Sequence, residues 1–236
     1  MLDDASAGLY QELTGRNVAL SDYFDRSYLR GVPAGAAAAK LDEGSVNAIV
    51  LRRQSSFADI GFLWKLFQIA GVHSRDTAVL FARDYSFRGL KSDNAVLLGQ
   101  PRSNPWIEPF LQHVGVRWNF DKDLGTYYPV DTWANGEPRV YRASDVGETR
   151  DGYCGIVLLP NLGGVGSVLI VSATGGSAFN AAAGFLSDET AMANLRQMLP
   201  AGDRKTFPFF EALVRVKGRS AQTRDATVAV CRPPRG

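Results

Sequence analysis

Two short stretches carry the residues best suited to hold a ligand. The first, "LLGQPRSNPW" (97–106), ends an apolar run at Gly99 and then sets Arg102, Ser103, Asn104 and Trp106 ahead of a helical pattern. The second, "SATGGSAF" (172–179), puts Thr174, Gly175, Gly176 and Ser177 in the same position, between an apolar run and a helical one. The planar fork of arginine binds a carboxylate or phosphate through two parallel hydrogen bonds, and an indole ring can wall such a pocket. Paired glycines admit close backbone approach, and the free N–H groups of a helix N-terminus attract anions. These eight residues are the expected binding set for a small anionic or polar molecule. Both stretches also have a purely architectural reading. Asn104-Pro105 starts a helix unaided, and Thr-Gly-Gly-Ser makes a good turn.

Other chemistries find less support. The chain has no G-x-x-x-x-G-K-[ST] loop and no G-x-S-x-G elbow, and "GGVGS" (163–167) leads into a strand rather than a helix. The two histidines, His73 and His113, follow or end helical patterns, where a cation suits the dipole without any catalytic task. Cys154 and Cys231 lie in strand-like runs without C-x-x-C spacing, so they read as free buried thiols rather than zinc ligands. Asp3 with Asp4, and Asp121 with Asp123, are carboxylate pairs of a kind that loops commonly carry. The expectation is no catalytic residue, no metal and no cofactor. A hydrolase or transferase using Cys154, Ser103 or His113 is the enzymatic alternative.

Positioning the two stretches demands a strand before each and a helix after each. The 236 residues suffice for one large domain, and the 26 basic and 24 acidic residues are spread without a basic block, which argues against a nucleic-acid surface. No apolar run approaches the roughly 20 residues of a membrane span, and the start has no signal-peptide pattern. Helices are expected over 5–14 and 20–30, the second begun by Ser21 and Asp22, with a loop over 31–45 and a strand over 46–53. Ser56 caps the next helix, with Asp59 completing a capping box and Phe57, Ile60, Leu63, Trp64, Phe67 and Ala70 forming its buried face. Strands over 77–82, 95–99 and 116–121 then alternate with a short turn and a helix begun by Asn104 and Pro105, kinked at Pro109. Such alternation implies a parallel sheet. Beyond it come a turn-rich excursion with a short strand near Val140, an antiparallel hairpin through "LGGVG", a long helix over 175–199 and a last hairpin. The expected fold is a single α/β domain over 1–236. It is a Rossmann-like three-layer sandwich, mostly parallel, with antiparallel C-terminal strands.

Several segments, taken together, resemble the C-terminal α/β domain of a family of uncharacterised bacterial proteins. Many of these join it to an N-terminal winged-helix DNA-binding domain, often with a membrane span. The segments are "VALSDYFDRSYL" (18–29), "AVLLGQPRSNPWIEPF" (95–110), "NGEPRVY" (135–141), "LLPNLGGVGSVLIVSAT" (158–174) and "NAAAGFL" (180–186). The family usually has Gly-Thr where Ala173-Thr174 stands here, and a Thr where Phe179 stands. It also tends to begin with a strand just before "LDDAS". The family has no established activity. The paired strand-loop-helix geometry, together with the resemblance to sensor-like architectures, leads to the expectation of a non-catalytic sensor domain of a bacterial regulator, cytoplasmic or an extracytoplasmic part of a larger membrane-tethered protein. Its expected partners are a small anionic or polar metabolite and a second copy of the chain, with no direct nucleic-acid contact and no membrane segment. The alternative is a dimerisation module without a ligand.

Overall fold

The computed structural model describes residues 1–30, 44, 48, 51–69, 74–146, 149–200, 206–219 and 223–235. Its main sheet is built on β6 (Thr149–Pro160), whose Ile-Val-Leu-Leu run suits a strand covered on both faces. β7 (Ser167–Ala173) folds back antiparallel, with Cys154 opposite Ala173. On the other side of β6 lie β8 (Phe210–Arg219) and then β9 (Thr223–Arg232), both antiparallel. Only β1 (Ala95–Leu98) joins in parallel, pairing Ala95 with Val168, and the short β5 (Ser144–Val146) pairs with the start of β6. The order is β1-β7-β6-β8-β9.

This corrects the expected mostly parallel Rossmann-like sandwich: the sheet is largely antiparallel with one parallel pair. Of the strands expected for the parallel half, 116–121 forms but pairs antiparallel in a separate sheet. Most of 46–53 lies outside the described residues, and the described Ala48 and Leu51 are helical. The 77–82 run forms no strand; Phe81 makes an isolated parallel bridge with Leu2, whose N–H donates to the Leu80 carbonyl at 2.9 Å. A short apolar run does not reveal by periodicity whether a partner strand exists for it.

α1 (Ala5–Thr14) forms as expected, capped by Asp4, whose carboxylate accepts from the Ala7 N–H. The helix expected over 20–30 is instead α2 (Leu20–Phe24) and a 3-10 turn (Ser27–Leu29), with Ala19 rather than Ser21 at the cap position. α3 (Phe57–Leu66) is capped by Ser56, but it buries Ala58, Asp59 and Phe62. Phe57, Ile60 and Trp64, expected inside, are 86%, 56% and 69% exposed. The reason is the close seat of α3 on α5 (Gly176–Ser187). A Cβ on Gly176 would lie 3.5 Å from that of Ala58, and one on Gly61 would reach Asn180. Small side chains allow that approach, so the small face turns inward and the bulky one outward. α4 (Phe87–Ser92) precedes β1. The long helix expected over 175–199 breaks at Asp188, whose carboxylate caps α6 (Glu189–Gln197) through the Thr190 and Ala191 N–H groups.

A second sheet joins β2 (Val116–Asp121), β3 (Thr126–Asp131) and β4 (Arg139–Val140), all antiparallel. It covers the main sheet where Gly155 makes room for Trp118, and Val116, Tyr141, Tyr153 and Leu213 form the shared core. Helices α3 and α5 pack on the opposite face, with Ile156, Val171, Ala212 and Val214. α1 and the segment after β1 pack beside the second sheet, on Leu97, Val168 and Ile170.

Candidate functional site

Parallel neighbours end on the same side, so the loops after β1 and β7 meet. The Gln100 side-chain amide donates to the Ala173 carbonyl and ties them together. Within this junction most of the expected binding residues have architectural partners. Ser103 is buried and closes the turn, its N–H and hydroxyl both meeting Gln100, while its carbonyl accepts from the Asp4 N–H at 2.7 Å. Asn104 is fully buried, and its Nδ2 donates to the Leu98 carbonyl at 2.8 Å. Its side chain makes no cap, and the helix that follows is a 3-10 helix (Pro105–His113) rather than a kinked α-helix. Two prolines remove N–H donors and clash with regular α-helical hydrogen bonding. Trp106 lies in the core, its Nε1 donating to the Ala82 carbonyl at 2.8 Å and its ring edge-to-face with Phe24 and Tyr85. Thr174 Oγ1 accepts from the Tyr153 N–H at 3.1 Å. Gly175, Gly176 and Ser177 are exposed at the start of α5.

Arg102 carries an unpartnered buried donor, and in the same turn the buried Asn104 Oδ1 also has no hydrogen-bond partner among the described residues. Its guanidinium lies 4.9 Å from the centre of the Phe120 ring, and Phe120 in turn contacts Tyr127 at 4.9 Å. The Arg102 Nε is buried, and among the described residues it has no hydrogen-bond partner. Its backbone is fixed, the carbonyl accepting from Gln11 Nε2 at 2.6 Å. Tyr127 sits in the field of Arg102, Glu12 and Asp3, its phenol pushed up to about 12 chiefly by burial. Burial also raises the Glu12 carboxyl, against the pull of Arg102. Glu12, Phe120 and Tyr127 were not singled out by sequence. The second sheet that brings two of them here follows a loop with no local signal for that placement.

A buried carboxylate pair adjoins the mouth. The Asp3 N–H donates to Asp59 Oδ2 at 3.0 Å, and Ser55 Oγ lies 2.9 Å from the same oxygen. The Ser56 N–H, expected to meet Asp59 in a capping box, donates instead to Asp3 Oδ1 at 3.2 Å. Burial, then the charge of Asp59, raises Asp3 to about 7, and burial raises Asp59 as well. Gly99 lies against this pair with φ +102°, and a Cβ there would come within 2.7 Å of the Asp3 Cβ, so only glycine fits. Asp4 faces elsewhere, held by Arg83 and by the Tyr23 hydroxyl at 3.0 Å.

His113 Nδ1 lies 2.8 Å from the Arg235 carbonyl, and His73 falls outside the described residues. Cys154 is buried and Cys231 partly so; both are free, with thiols raised by burial to about 12 and about 11. Thiols so raised carry little thiolate near neutrality. Among the described residues no cluster of three or more His, Cys, Asp or Glu could hold a metal ion, and no helix is long and apolar enough to cross a membrane. A cleft of about 1080 Å³ lies away from the mouth, between α3, α5 and the β8–β9 hairpin. Three of its charged residues already have partners: Lys65 on the Asn180 carbonyl, Asp188 on the α6 N–H groups and Arg215 on Asp151. Compared with family models, curated proteins and solved structures, the chain matches none.

Proposed function

We propose that the chain is a non-catalytic binding module that holds a small anionic or polar metabolite. The ligand sits at the Gly99–Asn104 turn, where the Arg102 guanidinium lies over the Phe120 ring of β2. The observation that carries this reading is the Arg102 guanidinium, with its buried Nε lacking a partner. An unsatisfied buried donor costs about 1–3 kcal/mol. A carboxylate or phosphate placed against the fork of Arg102 recovers that cost with charge-assisted hydrogen bonds. In this reading the chain is the sensing part of a bacterial regulator, in line with its resemblance to sensor-like architectures.

Thermal-shift screening of small carboxylates and phosphates, followed by calorimetric titration, tests the assignment. Arg102→Met should weaken a hit by about tenfold to a hundredfold, the worth of a hydrogen bond to a charged group. No hit, or a hit indifferent to the substitution, overturns it. The exposed Phe57, Ile60 and Trp64 favour a second reading, a self-associating module. Light scattering over a dilution series separates the two. A dimer through α3 loses mass in Phe57→Ser and keeps it in Arg102→Met.

A further inference from the structure

Ser55 stands between the two buried carboxyls, its Oγ 3.2 Å from Asp3 Oδ1 and 2.9 Å from Asp59 Oδ2. A hydroxyl carries one hydrogen and two lone pairs. It donates to one of these oxygens, and the other is satisfied only when it carries a proton of its own and donates to Ser55. The nearby N–H groups are already assigned, that of Ser56 to Asp3 Oδ1 at 3.2 Å and that of Asp3 to Asp59 Oδ2 at 3.0 Å. One proton between the carboxyls closes the bonding, and its loss sets lone pair against lone pair. Asp3 is 7% exposed and Asp59 1%, so little water screens them.

The pair is also tied to the turn that follows β1. The Asp4 N–H donates to the Ser103 carbonyl at 2.7 Å, and Asp3 Cβ and Oδ2 lie 2.7 and 3.4 Å from where a Cβ on Gly99 would stand. We propose that Asp3, Ser55 and Asp59 form a proton-held latch that fastens the Gly99–Asn104 turn, and that loss of the shared proton releases it. Two ionised carboxylates repel, and Asp3 leaves Asp59 by breaking the Asp4–Ser103 bond. Burial and the charge of Asp59 bring Asp3 to about 7, so release falls near neutrality. Two other titratable groups face the pair. The Met1 ammonium, on the Val96 carbonyl at 2.6 Å, feels Asp59, and the Tyr127 hydroxyl of β3 feels Asp3. Asp4 is turned to Arg83, and Arg102 lies over Phe120. Among the described residues no lysine or arginine pairs with either carboxylate.

The latch belongs to the turn whether or not Arg102 holds an anion, so its test needs no ligand. Amide hydrogen exchange of the full chain, corrected for intrinsic rates, is compared at about pH 5 and about pH 8. Protection of the Asp4, Ser103 and Asn104 amides should fall by about tenfold or more at the higher pH. Asp3→Asn imitates the protonated acid, its Oδ1 still accepting from Ser56 and its Nδ2 donating, and should keep the turn protected at both. A carboxyl-carbon NMR titration of the wild type, which needs no variant, should find one of the two carboxyls protonated at the lower pH and ionised at the higher. Two ionised carboxylates at the lower pH, or turn protection indifferent to pH, overturns the latch. The same fall in Asp3→Asn as in the wild type also overturns it, and assigns the effect to the Met1 ammonium.

Discussion

Asp3 and Asp59 meet in the protein interior, and two carboxylates so close do not both ionise readily. Asp3 titrates near 7 in the folded chain and near 3.9 when unfolded. The folded state thus keeps a proton that the unfolded state has lost. Stability falls as pH rises from about 4 to about 7 and levels off above that, and Asp59 acts in the same direction. Urea midpoints should therefore be lower at about pH 8 than at about pH 5, and Asp59→Asn should flatten the difference. A midpoint indifferent to pH in the wild type would show that the pair is ionised throughout. Asp59 is visible in the sequence as an acid inside an apolar helix. The capping-box rule supplies the wrong partner for it, because Asp3 lies 56 residues away. Arg102 stood out in the sequence for a similar reason: strand ending and helix capping did not require it.

Arg232 acts between elements. From β9 it reaches Glu211 on β8 and Asp131 on β3, with Nε–Oε2 at 2.8 Å and Nη2–Oδ1 at 2.6 Å. Glu211 also accepts from the Gly115 and Val116 N–H groups, so one network fastens the second sheet to the first. Arg232→Ala strands two buried carboxylates and should cost about 3–5 kcal/mol in denaturant unfolding. Arg142→Ala, which breaks a solvent-facing pair with Asp121, should cost far less. Equal losses would show that the network does not join the sheets. Elements with strong local signals were legible in the sequence: α1, β1, β2, the β6–β7 hairpin and the β8–β9 pair. β3 was hidden by Pro129, which normally demotes a strand, and the buried face of α3 by Ala58 and Gly61, whose small size outweighs the apolar stripe. The break at Asp188 needed its capping preference weighed against an otherwise continuous helical pattern.

Over the whole molecule, placing helices on one face and a mixed layer on the other depends on pairings that no local pattern encodes. The parallel pair β1–β7 and the antiparallel remainder differ only in which distant segments meet. The contacts that form the mouth belong to the distant class. Gln100 meets Ala173 across 73 residues, and Gln11 meets Arg102 across 91. Closing such long loops is slow, whereas the β6–β7 and β8–β9 hairpins close locally. Contact order puts the junction of the two loops after the hairpins in the expected order of assembly. A ligand held on the Arg102 turn would act as a staple, turning occupancy directly into resistance to local opening. Backbone amides at Gln100, Ser103 and Asn104 should then exchange early in the free chain and late in the occupied one, while those of β6 change little. Receptor and fastener would be the same few residues.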